Sequence, residues 1–196
     1  MTGPFLRRTI FLAAFSLAAI PVFAINASKT EPPQATEKGK EITSANARLE
    51  STSGSSVSGI VTFRHDPEYD GLRVKVEVAG LKPGRHGIHI HERGDCSAAD
   101  AQSAGGHFNP TNRRHGAPAH GKHHAGDLGN IAANAEGRVR TELKSDTITF
   151  NGETSILGKA LILHAQPDDL ASQPAGNAGK RVACGVIEPL LETDAG

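Results

Sequence analysis

Short β-prone runs, separated by Gly and Pro turns, dominate the chain beyond residue 45. Residues 72–78 alternate strictly between apolar and charged side chains, which is the pattern of a strand with one buried and one solvated face. The other runs lie at 48–50, 59–63, 88–90, 138–143, 160–163 and 182–187. Because no convincing long helical period accompanies them, the pattern predicts an all-β fold, either an antiparallel sandwich or a barrel.

The N-terminal segment has a different character. Arg7 and Arg8 precede a short apolar run, and Ala24 ends a stretch of the kind that signal peptidase cleaves. The run is too short to span a bilayer stably. The predicted organisation is a signal peptide over 1–24, a disordered polar spacer over 25–44 and one folded domain over 45–196. We therefore expect an exported protein, periplasmic or extracellular, with no membrane attachment after cleavage.

The composition argues against a nucleic-acid-binding function. The chain carries 21 basic and 21 acidic side chains, and the predicted cleavage removes two arginines and no acidic residue. With no basic excess and only 4% aromatic residues, the chain lacks both the charge and the stacking platforms of a nucleic-acid-binding protein. Histidine is the residue in excess, with 10 copies.

Residues 92–130 have little strand character and hold half of these histidines. Structureless loops of that length are uncommon in compact domains, so a metal, a disulfide or a function is expected to order this one. Its candidate ligands are His107, His115, His124 and Asp127. Three imidazoles and a carboxylate suit a tetrahedral zinc site, whereas a solvated histidine-rich loop is the alternative.

His89 and His91 are two residues apart on an apolar run, so a strand would point both imidazoles to the same face. Cupins and carbonic anhydrases also use such a pair, and it occurs among surface histidines, so the pair alone leaves the chemistry open. His164, directly after the run 160–163, could complete a nitrogen-only site with them. A site in which a fourth imidazole joins these three would favour copper. A zinc hydratase that uses His89, His91 and one more histidine is the alternative.

Cys96 and Cys184 are the only cysteines. In a chain that is expected to be exported, a disulfide between them is the economical interpretation. It would fasten the irregular segment to the strand that carries Cys184. A thiolate metal ligand is the alternative.

Six stretches, taken in order, resemble the copper/zinc superoxide dismutases, and the resemblance covers about residues 45–190. The stretches are GIHIHE at 87–92, GDC at 94–96, GHFNP at 106–110, HAGDLGN at 124–130, LH at 163–164 and GNAGKRVACGVI at 176–187. The export signal and the position of the first cysteine are more similar to bacterial members than to cytosolic ones.

The resemblance implies an eight-stranded Greek-key β-barrel, an immunoglobulin-like sandwich, with a long metal-binding loop. It also implies one copper and one zinc per subunit and the dismutation of superoxide to dioxygen and hydrogen peroxide. Copper would be held by His89, His91, His107 and His164, and zinc by His107, His115, His124 and Asp127. His107 would then bridge the two ions. A copper chaperone or metal-storage module on the same fold is the alternative function.

Other residues take their expected roles from the same resemblance. Asp168 would accept hydrogen bonds from His89 and His115. Arg181 would guide the superoxide anion to copper, with Lys180 contributing charge nearby.

The chain also departs from the family pattern. Ala175 stands where many members have a threonine that narrows the channel, which predicts a wider mouth. The polar tail 188–196 leaves the oligomeric state open, so a homodimer is possible. The remaining histidines have no family role and are expected to be solvated: His65, His86, His120 and His123. For His120 and His123, a role in metal capture is the alternative.

Overall fold

The computed structural model describes residues 41–120 and 122–190, and eight strands account for most of the regular structure in these ranges. The strands are β1 (Ser44–Ser51), β2 (Ser58–His65), β3 (Leu72–Ala79), β4 (Gly84–His91), β5 (Asp127–Ala133), β6 (Val139–Ser145), β7 (Ala160–His164) and β8 (Arg181–Pro189). The predicted signal peptide and most of the predicted spacer lie outside the described residues. Within those residues, no helix is long and apolar enough to cross a membrane.

The strands pair in the order β5-β4-β7-β8-β1-β2-β3-β6, and every pair is antiparallel. β1, β2 and β3 form a meander, whereas β4 with β7, β8 with β1, and β3 with β6 are neighbours that lie far apart in the chain. Long connections of this kind define a Greek key. The end strands β5 and β6 also contact each other, so the barrel is nearly closed. The predicted all-β, eight-stranded barrel is confirmed.

Alternating side chains build the barrel interior. In β3, Leu72, Val74 and Val76 are fully buried, while the residues between them are partly or wholly exposed. They pack with inward-facing side chains of neighbouring strands such as Phe63 and Leu49. Burial of each large apolar side chain contributes about 1.5–3 kcal/mol, so the core provides the driving force for the fold.

β4 departs from simple alternation because both of its faces are buried. Ile88 and Ile90 belong to the apolar core. His89 and His91 share the other face, as the two-residue spacing predicts, and are also buried. The outer face of β4 is therefore where a polar site is assembled.

The segment predicted to lack strand character is shorter than expected. β5 begins at Asp127, so the last four residues of the range 92–130 belong to a strand. Their sequence, DLGN, contains one large apolar residue, and pairing with β4 makes it a strand. At the other end of the domain, β1 begins at Ser44, the last residue of the predicted spacer.

A disulfide joins Cys96 to Cys184, with Cα atoms 5.8 Å apart, so these cysteines are not thiolate ligands. A second, small apolar cluster surrounds it, formed by Ala101, Ala104, Ala160 and Ile162. The disulfide and this cluster together hold the segment after β4 against β7 and β8.

Replacing Cys96 by serine is expected to lower the free energy of unfolding by about 4–5 kcal/mol, because the bond closes a loop with a sequence separation of 88. Thermal unfolding of the variant, measured by circular dichroism, should show a lower Tm. Reductant should lower the Tm of the parent protein and leave that of Cys96→Ser unchanged. Equal Tm values for the oxidised parent and the variant would contradict a stabilising role of the bond.

Candidate metal centre

Three adjacent strands bring the candidate ligands together. His89 and His91 lie at the end of β4, and His164 ends β7, which pairs with β4. Asp127 begins β5 on the other side of β4 and lies opposite His89 in the ladder. The strand order thus places ligands that are up to 75 positions apart in sequence on one edge of the barrel.

His107 comes from the long loop and is held against β4 by backbone pairing. It forms an isolated antiparallel bridge with His91. The next residue, Phe108, donates its N–H to Ile90 O at 2.8 Å, and Gly126 donates to Phe108 O at 2.9 Å. A Cβ on Gly126 would overlap the Ile90 carbonyl oxygen, so only glycine allows this approach.

The first candidate set consists of His89, His91, His107 and His164. One ring nitrogen from each lies within 4.8 Å of the other three. These atoms are His89 Nδ1, His91 Nε2, His107 Nε2 and His164 Nε2, and all four are buried without a hydrogen-bond partner. Buried polar atoms normally find partners, so four converging lone pairs are the donor set that a cation would complete.

The opposite ring nitrogens are held by hydrogen bonds. His91 Nδ1 donates to Gly105 O at 2.9 Å, and His164 Nδ1 donates to Gly179 O at 3.2 Å. Since each of these nitrogens carries the proton, Nε2 keeps its lone pair. Metal-binding histidines usually have such an arrangement.

The second candidate set consists of His107, His115, His124 and Asp127. Asp127 Oδ1 lies 2.8, 3.0 and 3.3 Å from Nδ1 of His107, His115 and His124. Asp127 Oδ2 accepts backbone N–H groups of Gly116 and His124. His107 therefore belongs to both sets, with Nδ1 in the second set and Nε2 in the first.

Asp168 contacts both sets from outside. Its Oδ2 lies 2.7 Å from His89 Nε2, and its Oδ1 lies 2.9 Å from His115 Nε2. Asn130 in turn pairs with the backbone of Asp168: its Nδ2 donates to Asp168 O at 2.9 Å, and its Oδ1 accepts the Asp168 N–H at 2.8 Å. Sequence reasoning gave Asn130 no role, although the residue ends the run 124–130 used for the family resemblance.

Burial keeps three imidazoles of the first set neutral, those of His91, His107 and His164. It lowers the pKa of His107 to about 4 and that of His164 to about 3, and it holds the pKa of His91 well below its usual value. In the second set, burial would raise the pKa of Asp127, but the close contacts of its carboxylate with three histidine rings outweigh burial and hold this pKa well below its usual range. At neutral pH His91, His107 and His164 are therefore uncharged nitrogen donors, whereas the second set includes an anion.

His115 titrates differently, and this predicts a pH dependence of zinc binding. Burial alone would lower its pKa, but the carboxylates of Asp127 and Asp168 outweigh burial and raise the pKa to about 9 in the metal-free protein. Zinc must then displace a proton below that pH, so we expect its apparent affinity to rise about tenfold per pH unit up to roughly pH 9. Calorimetry in two buffers of different ionisation enthalpy should detect the proton release, and Asp168→Asn should move the plateau to lower pH. A pH-independent affinity would contradict this prediction.

A cavity of about 520 Å³ opens onto the first set. His91, His107 and His164 line it together with Arg181 and Ala175, so Ala175 lies in the mouth wall, as expected. His89, His115 and Asp127 do not line this cavity, and neither does Lys180. His124 of the second set lines the cavity as well, so a small solute can reach three imidazoles of the first set and two of the second, with His107 common to both.

Two backbone carbonyls fix the guanidinium of Arg181 beside this cavity. Nη1 donates to Ala101 O and Nη2 to Gly105 O, both at 2.7 Å. Gly105 O also accepts from His91, so one carbonyl orients the cation and a candidate ligand. Because the disulfide holds the segment containing residues 101–105, it also supports the position of Arg181.

Two of the histidines expected to be solvated are buried. His86 is 3% exposed, and its ring nitrogens lie 2.9 Å from His164 O and 2.8 Å from Lys82 O. His123 is 3% exposed, with Nδ1 2.7 Å from His124 O. The alternation of β4 could have revealed His86, since it shares the parity of Ile88 and Ile90. His65 is exposed, and the side chain of His120 lies outside the described part of the chain.

The structure is a β-barrel that carries two adjacent donor sets with one shared imidazole, and each set could hold a metal ion. A family model for copper/zinc superoxide dismutase matches residues 57–187, and the chain belongs to that family. Among solved structures, the crystal structure of the clock protein EA4 is similar to this chain, with 37% sequence identity and a TM-score of 0.70. The match covers 78% of this chain and 98% of that one.

Proposed function

We propose that this protein catalyses the dismutation of superoxide, with copper in the first set and zinc in the second. The observation that carries the proposal is His107, whose two ring nitrogens face two different donor sets. Four nitrogens suit copper, and three nitrogens with one carboxylate suit zinc. Family membership supports the same assignment.

Bound copper would supply the redox chemistry, taking one electron from a first superoxide and returning it to a second. The protein has to bring a small anion to the first set. Arg181 provides the positive charge at the cavity, and its two carbonyl contacts hold that charge in place before substrate arrives. A fixed charge needs no reorganisation when the anion enters.

His107 is the group that we assign to charge compensation. An electron added at the first set would increase its negative charge, and a proton on His107 Nε2 would offset it. Because this nitrogen has a single lone pair, it would hold the proton only while it is not a metal ligand of the first set. That nitrogen is buried without a hydrogen-bond partner, and the His107 ring lines the cavity, through which a proton would have to reach it. Zinc in the second set has no redox chemistry and would position the same ring through Nδ1.

The proposed setting is outside the cytoplasm. The disulfide suits an oxidising compartment, and the predicted signal peptide would take the chain there. Fractionation of the cells that make this protein, with intact-mass analysis of the mature chain, tests the proposal. A mature N-terminus upstream of residue 25 would contradict cleavage after Ala24.

The function itself is tested with protein loaded with one copper and one zinc per chain. Stopped-flow decay of superoxide should show many turnovers per copper, with hydrogen peroxide formed at half the amount of superoxide consumed. A chaperone or storage module would consume no more than stoichiometric superoxide and would pass copper to an acceptor chelator. Stoichiometric consumption at full metal loading would overturn the proposal.

A further inference from the structure

One wall of the cavity is formed by a short segment before β8, residues 169–177, which we name the mouth loop. Gln173, Pro174, Ala175 and Asn177 of this loop line the cavity, facing the region that also contains Arg181. The position of the mouth loop therefore determines how wide the approach to the first set is.

The mouth loop is ordered internally by Asp169. Its Oδ1 accepts the backbone N–H groups of Ala171 and Ser172, and its Oδ2 accepts Nδ2 of Asn177. The N–H of Gly176 closes the loop by donating to Ser172 O at 2.8 Å. With these bonds the loop can move as a unit, and its contacts with the rest of the protein decide where it lies.

Gln173 makes such a contact, and its partner is the backbone of a candidate zinc ligand. Its Oε1 accepts the His115 N–H at 2.9 Å, and its Nε2 donates to His115 O at 2.9 Å. Nε2 also donates to Ala171 O at 3.0 Å, so the amide is tied to its own loop. A single side chain thus satisfies both backbone polar groups of His115 from 58 residues away.

The second link between the mouth loop and His115 is the close packing of Gly176 against the His115 ring. At Gly176, φ is +65°, and an added Cβ would overlap Asp168 Oδ1 and approach His115 Nε2 to 2.6 Å. Asp168 acts on the His115 ring, whereas Gln173 acts on its backbone. The backbone of this candidate ligand is therefore held by Gln173 of the mouth loop, and its ring is held by Asp168, the residue directly before that loop.

We propose that Gln173 is a positioning residue that couples the width of the copper-side cavity to zinc binding in the second set. The inference rests on the proposed function for the identity of the two metals. If the mouth loop helps to hold His115 in its ligating position, bound zinc must by thermodynamic reciprocity help to hold the mouth loop. Zinc binding would then keep the wall in place and exclude larger anions from the first set.

The test compares Gln173→Ala with Gln102→Ala. Gln102 is a matched control, because it is also a glutamine that lines the cavity, but its side chain makes no described contact with His115. Zinc affinity of the copper-free protein, measured by chelator competition, should fall about tenfold in Gln173→Ala, as expected for the loss of two hydrogen bonds. Gln173→Glu keeps an acceptor for the His115 N–H and loses the donor to His115 O, so its affinity should be intermediate.

Access to the first set is measured on the copper protein without any dismutase assay. Azide affinity from visible absorption reports small-anion access, and the rate of copper reduction by hexacyanoferrate(II) reports large-anion access. The quantity compared is the ratio of the hexacyanoferrate(II) reduction rate to the azide association constant. Zinc should lower this ratio at least threefold in the parent and in Gln102→Ala, and much less in Gln173→Ala. Equal zinc affinity for the two alanine variants, or an equal zinc effect on the anion ratio, would overturn the inference. Because neither readout is catalytic, a chain without dismutase activity that shows these differences refutes the proposed function and leaves the coupling supported.

Discussion

Replacing Asp127 by alanine should abolish tight zinc binding while copper binding to the first set persists. Asp127 is the only anion of the second set, and its Oδ1 lies within 3.3 Å of all three histidine nitrogens. Its Oδ2 also holds two backbone N–H groups of the loop, so the variant loses both a ligand and part of the loop geometry. Residues that merely orient a ligand are worth about 10–100-fold in metal affinity, so loss of this carboxylate should exceed about 100-fold.

The measurement is metal content after dialysis against a zinc buffer, with chelator competition for the affinity. Asp70→Ala is the control, since Asp70 is an exposed acidic residue on the turn between β2 and β3. The zinc affinity of Asp127→Asn should lie between those of Asp127→Ala and Asp70→Ala, because an amide keeps the shape of the carboxylate and loses its charge. Zinc retained at parental affinity in Asp127→Ala would remove Asp127 from the ligand set.

Arg181→Glu should slow superoxide removal by roughly 10- to 1,000-fold at low ionic strength, which is the range for electrostatic focusing of a substrate. Superoxide dismutases are themselves a known case of such steering, so this range is not specific to this chain. The direction follows from the geometry: the guanidinium lines the cavity with His91 and His164, and its replacement by a carboxylate repels the incoming anion.

Salt dependence makes the second prediction sharper. Added salt screens attraction in the parent and repulsion in the variant, so the parent should slow down and Arg181→Glu should speed up. Lys180→Glu is the matched control, since it makes the same charge change at the neighbouring exposed residue, which does not line the cavity. Arg181→Lys keeps the positive charge and loses the paired hydrogen bonds to the two backbone carbonyls. It should therefore retain most of the decrease in rate that added salt causes in the parent. Identical salt dependence in Arg181→Glu and Lys180→Glu would exclude a specific role for Arg181.

Strand patterns and ligand chemistry were accessible from the sequence for physical reasons. The alternation in 72–78 predicts β3 because side chains of a strand point to opposite faces, and the spacing of His89 and His91 places both on one face of β4. The candidate ligands could be named because imidazole and carboxylate side chains are suited to metals by their own chemistry. Their order along the chain, combined with the family resemblance, sorted them into two sets.

The errors arose where neighbours, not local sequence, decide the outcome. β5 begins at Asp127 because β4 offers a pairing edge, although DLGN has little strand propensity of its own. His86 and His123 are buried where backbone carbonyl oxygens lie within hydrogen-bond distance of their ring nitrogens. The alternation of β4 indicates that His86 points inward, but no comparable pattern surrounds His123, which lies in the irregular segment before β5.

The sequence by itself determined the β class, the cysteine pair and the residue types able to bind two metals, because these depend on periodicity and side-chain chemistry. Apart from Asp168, which the family resemblance indicated, only the tertiary structure identified the groups that hold those residues in place. The carbonyl of Gly105, the amide of Asn130 and the amide of Gln173 act through distances set by how loops cross the end of the barrel. Every residue has a carbonyl and many surfaces carry amides, so only the path of the chain can select the ones that orient a ligand.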